Sequence, residues 1–134
     1  MRLTPDTIDL LSDFVPVRDL RGMRALTGAP GRWLPAMFGM SATTIAPLVC
    51  FRAGSFDPTT PQGLALIAHE AHHLQQAREM GWLRFYLRFF IGQFRCRFQH
   101  SRHPMEMPAI ELQRLVAGRL RDLERAPADS NMAT

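Results

Sequence analysis

"LALIAHEAHHLQQAREMG", Leu64 to Gly81, packs three of the chain's five histidines and one of its five glutamates into five consecutive positions of an otherwise apolar run. Just upstream, Thr60 can cap a helix and Pro61 can open it, while Gly81 can end it. The segment therefore reads as one helix over about Pro61 to Met80. Buried imidazoles and carboxylates need partners, so His69, Glu70, His72 and His73 call for a reason beyond packing. His69-Glu70-Ala71-His72-His73 satisfies H-E-x-x-H. Residues four apart stand one turn above each other on a helix, so the imidazoles of His69 and His73 can converge on one cation, with Glu70 beside it. The spacing supplies two metal ligands and a base.

An open catalytic zinc site takes three protein ligands and leaves the fourth position to water. Glu79 lies on the same helix and is turned well away, which leaves Glu106, Glu111, Asp122 and Glu124 downstream. Glu106 opens the next helical stretch, from where a side chain can project towards a neighbouring helix, and it is the expected third ligand. With Zn2+ as cofactor, the chemistry is metal-assisted hydrolysis with Glu70 as general base. His100, Arg102, His103 and Tyr86 are candidates by position only to donate to an oxyanion, and Glu111 is a candidate to accept from an imidazole N–H.

Outward from this helix, "TTIAPLVCFRAG", Thr43 to Gly54, is rich in β-branched and aromatic residues and interrupted at Ala46-Pro47, which predicts a hairpin. Thr4, Pro5 and Asp6 begin a short helix that should run to Asp13 or Phe14. Between Val15 and Gly39 six prolines and glycines leave room for a turn or two of helix near Asp19 to Leu26. "WLRFYLRFFIGQFRCRFQH", Trp82 to His100, is an amphipathic helix whose Arg84, Arg88 and Arg95 line one stripe. Pro104 and Pro108 bracket the start of a third long helix. It should end near Glu124 or Arg125 and leave 127–134 as a disordered tail.

The 134 residues suffice for one domain, expected over 1–126, and 46% hydrophobic with 21% charged residues is globular composition. All 16 basic residues are arginine, and the net charge is +4. Two well-separated cysteines, Cys50 and Cys96, fit a reducing compartment, and the N-terminus does not read as a secretory signal. The uncharged stretch Leu34 to Phe51 is broken by Pro35, Gly39 and Pro47, so no transmembrane segment is expected. A cytoplasmic protein of unknown oligomeric state follows.

"GLALIAHEAHHLQQAREMGWLRFYLRFF", followed by "HPMEMPAIELQ" and preceded by "FRAGSFDPTTP", resembles small bacterial HExxH proteins of the minigluzincin type. It is similar to the metallopeptidase-like domain associated with extracellular contractile injection systems. The resemblance covers roughly Thr43 to Leu115. It implies an α+β, zincin-like fold, mainly helical with a small β-hairpin or sheet. It further implies a zinc metallopeptidase with His69, His73 and Glu106 as ligands, Glu70 as base, and small Ala109 three positions after the ligand. Two positions depart from the family pattern: Pro108 replaces an acid, and His72 stands where an apolar or hydroxyl residue is usual. His72 reads as a surface residue or a donor behind the ligands.

The expected partner is a peptide or protein substrate, which an edge of the hairpin could take up as an added strand. Two other readings compete. In one, the same site holds zinc as a non-catalytic scaffold, closed by His72 or His103 as an extra ligand. In the other, the Arg and aromatic helix of residues 82–100 binds an anionic membrane peripherally, or nucleic acid. Five arginines and no acid lie between Glu79 and Glu106. The competing assignment for that helix is packing under the site with its arginines in water, and nucleic acid is the less expected partner.

Overall fold

The computed structural model describes residues 1–27, 42–45, 48–52, 54–95 and 106–132. The elements in chain order are α1 (Pro5–Leu11), α2 (Val17–Gly22), β1 (Arg24–Leu26), β2 (Ala42–Ile45), β3 (Leu48–Phe51), α3 (Pro61–Met80), α4 (Trp82–Arg95) and α5 (Glu106–Met132). Among the described residues the protein is mostly helical with a small three-stranded sheet of order β1-β3-β2. β2 and β3 are antiparallel, with Ile45 opposite Leu48, as the expected hairpin requires, and Ala46-Pro47 lies outside the described residues. β3 is central because β1 joins its other side in parallel, with Arg24 opposite Leu48. The first residues close the outer side of β1: Ala25 N donates to the carbonyl of Met1, and Arg2 bridges Arg24.

Three expectations change. The turn or two of helix stops at Gly22, and Arg24 to Leu26 is strand instead. No local pattern marks these three residues, and β3 makes them a strand by offering its unpaired edge. α1 stops at Leu11, two or three residues early, as Ser12 turns its hydroxyl onto the carbonyl of Asp9. α5 does not end at Glu124 or Arg125 but continues to Met132, so helix occupies most of the stretch expected as a tail. Pro127, which has no N–H, costs that helix one hydrogen bond.

α3 is the central element. Thr60 caps it by accepting from Gly63 N at 3.1 Å, and Gly81, with φ of +84°, ends it. Its first turn is pressed onto the loop before it: a Cβ built on Gly63 would stand 1.7 Å from the carbonyl oxygen of Asp57. That loop is held by Asp57, whose side chain accepts from Thr59 N. Leu64, Ala65, Ile67, Ala68, Ala71 and Leu74 enter the main core beside Leu11, Leu20, Val49, Phe51, Val116 and Leu120. The alanines let another helix come close, and α3 packs most extensively against α5. α2 is tied to the far end of α3 by a two-pronged ion pair, Arg78 Nε and Nη2 each 2.9 Å from an oxygen of buried Asp19.

Candidate metal centre

Burial of α3 on nearly all sides carries His69, Glu70 and His73 inside with the apolar residues. The first turn of α5 brings Glu106 to meet them, with buried Ala109 one turn on, where a larger side chain would hold the helices apart. Glu106 Oε2 lies 2.9 Å from His69 Nε2, and Oε1 lies 2.8 Å from His73 Nε2. One carboxylate thus faces two imidazoles whose ring centroids are 5.0 Å apart. Phe85 of α4 closes the side of His73, with ring centroids 6.1 Å apart.

His73 Nδ1 sits 2.9 Å from Gln76 Oε1, which can only accept, so Nδ1 carries a hydrogen and donates it. In the neutral ring Nε2 then presents a lone pair to an ionised carboxylate, which is repulsive without a cation between them. A proton is one such cation. Burial disfavours the imidazolium of His73, but the hydrogen bond and charge of Glu106, the charge of Glu70 and the Gln76 bond outweigh it and push the pKa up to about 9. A metal ion is the other. The Nε2 to Oε1 contact, at 2.8 Å, lies at ion-pair distance.

The donor set fits a divalent ion of the zinc type. Two imidazole nitrogens and a carboxylate oxygen suit zinc, and the ligand atoms of His69, His73 and Glu106 all lie within 4.8 Å of one another. Donors around a four-coordinate zinc stand about 3.3 Å apart, so small side-chain rotations suffice.

Glu70 stands outside this trio. Its Oε2 accepts a 2.6 Å hydrogen bond from Thr44 Oγ1 on β2, and Tyr86 of α4 donates its hydroxyl to the carbonyl of the same Thr44 at 3.3 Å. Tyr86 therefore touches the strand beside Glu70. His72 is half-buried. Burial first, then the neighbouring His73 and His69, pull its pKa down, and it is not one of the three grouped ligands. Glu111, a candidate acceptor for an imidazole N–H, is exposed on α5, and the N–H of His73 goes to Gln76. His100 and His103 lie outside the described residues.

Sequence reasoning passed over Thr44 and Gln76. Gln76, three residues after His73, has the spacing of a helical neighbour and could have been found. Thr44 carries no such mark, because only folding brings β2 against α3.

The model of the eCIS core domain matches residues 13–81, which take in α2, the sheet and all of α3. This chain belongs to the eCIS core domain family, which is metallopeptidase-like. His69, Glu70 and His73 fall inside the matched span, while Glu106 and α4 fall beyond it. No match emerges among curated proteins, and none among solved structures.

Proposed function

We propose that this protein is a zinc-dependent peptidase of the gluzincin pattern with a zincin-like arrangement, in which His69, His73 and Glu106 hold the ion and Glu70 is the general base. The carrying observation is the meeting of two imidazoles and a carboxylate from separate helices in a buried cluster, with a second carboxylate fixed beside it. A bound zinc ion supplies Lewis acidity, polarising the scissile carbonyl and lowering the pKa of water at an open position. Glu70 takes a proton from the attacking water and returns it to the leaving amine. Thr44 holds Oε2, which fixes the carboxylate and turns Oε1 to the proton. Gln76 keeps His73 in the tautomer whose Nε2 can ligate. The substrate is a peptide or protein.

Metal analysis of purified wild type, Glu70→Gln and His73→Ala tests the assignment. Zinc should be retained in Glu70→Gln and lost in His73→Ala, with peptide hydrolysis abolished in both. Equal metal content in all three proteins would remove the proposal. Zinc bound with no hydrolysis by wild type would leave a metal-held scaffold in its place.

A further inference from the structure

α4 has two apolar faces, and α3 covers only one. Phe85 is buried against Ala77, with Met80, Tyr86 and Phe89 packed around them. Leu83, Leu87 and Ile91, each four residues after the last, form a stripe on the opposite side with exposures of 70%, 60% and 44%. Trp82 stands at its start, 65% exposed. Scattered exposed apolar residues are ordinary, but a row of them along one helix face marks a surface that something covers.

Charge narrows the occupant. Arg84 and Arg88 are both exposed and run alongside the stripe, one turn apart. No acidic residue occurs between Glu79 and Glu106, a span that holds five arginines. A second copy of this chain docked through the same face would bring arginine rows together with no acid on α4 to answer them. Nucleic acid would take the arginines but has no use for an aliphatic row. An apolar stripe edged by cations, with an indole at one end, matches the boundary between lipid phosphates and acyl chains.

We infer that the exposed face of α4, Trp82, Leu83, Leu87 and Ile91 with Arg84 and Arg88, docks on an anionic lipid surface. The leucines and isoleucine enter the acyl boundary, and the arginines pair with headgroup phosphates. No helix among the described residues is long and apolar enough to cross a membrane, so the attachment is peripheral.

The test is co-sedimentation of the full chain with vesicles of phosphatidylcholine alone or of equimolar phosphatidylcholine and phosphatidylglycerol. Binding should require phosphatidylglycerol and weaken in high salt. Arg84→Gln with Arg88→Gln should weaken it roughly 30-fold, about fivefold per charge, while lysines at both positions should keep most of it. Leu87→Gln should weaken it with both arginines in place. A second reading avoids those variants: in Trp33→Phe protein, Trp82 is the one remaining tryptophan, and its emission should shift to the blue with the anionic vesicles alone. Equal binding to both vesicles, binding to neither, or an unshifted emission overturns the inference. So does preferred binding to duplex DNA, or a dimer that Leu87→Gln dissociates.

Discussion

Thr44 shows how much of the proposed chemistry rests on one hydroxyl outside the motif. H-E-x-x-H names Glu70 as a base but does not say what aims it, and the 2.6 Å bond from Thr44 Oγ1 does. Thr44→Val keeps the size and branching of the side chain and removes the donor. Zinc content should stay at the wild-type level while kcat falls roughly 10- to 100-fold, the usual cost of losing a group that orients the reacting ones, and Thr44→Ser should restore most of it. A valine variant with unchanged kcat would mean that Glu70 needs no such support. At this scale the sequence was most legible where partners are local: His69, Glu70 and His73 follow from helical spacing alone. Glu106 could be named as an acid at a helix start, but its bridging of both imidazoles needed the two helices brought together.

Helix α3 owes its limits to local chemistry, and these were readable as written. Thr60 caps, Pro61 opens, and Gly81 closes at a positive φ that other residues avoid. The need for Gly63 was not readable, because its neighbour is the backbone of a loop. A methyl there would collide with the Asp57 carbonyl, so Gly63→Ala should destabilise the fold by about 1–3 kcal/mol as the loop is pushed off the helix. That loss should appear in the midpoint of urea unfolding, and a midpoint no lower than wild type would show that the loop yields freely. Elsewhere the hairpin was announced by β-branched residues around Ala46-Pro47. β1 was not, since a three-residue strand at an edge exists only through the partner that accepts its hydrogen bonds.

Across the whole molecule, the imidazole and carboxylate cluster fastens α3 to α5, so its ionisation affects global stability. The His73 pKa is raised from 6.5 to about 9 by folding. A raised value means that the folded form binds the proton more tightly than the unfolded form. In the metal-free chain this stabilisation is complete below about pH 6.5 and declines as pH rises through about 9. Thermal unfolding in chelator should accordingly show a midpoint that falls across this window. Added zinc, replacing the proton as the shared cation, should raise the midpoint and flatten the decline. A metal-free midpoint that climbs between pH 6.5 and 9 would contradict the ion pair.

By itself the sequence determined the H-E-x-x-H helix, its caps, the hairpin and the basic, aromatic character of residues 82–100. Each depends on neighbours within a few positions along the chain, where spacing is geometry. The tertiary structure decided how Glu106 comes to face both imidazoles, which hydroxyl steadies Glu70, and which half of the apolar surface of α4 stays uncovered. Those outcomes depend on how α5, β2 and α4 pack around α3, and long-range packing is set by the shapes of whole faces rather than by any short run of residues.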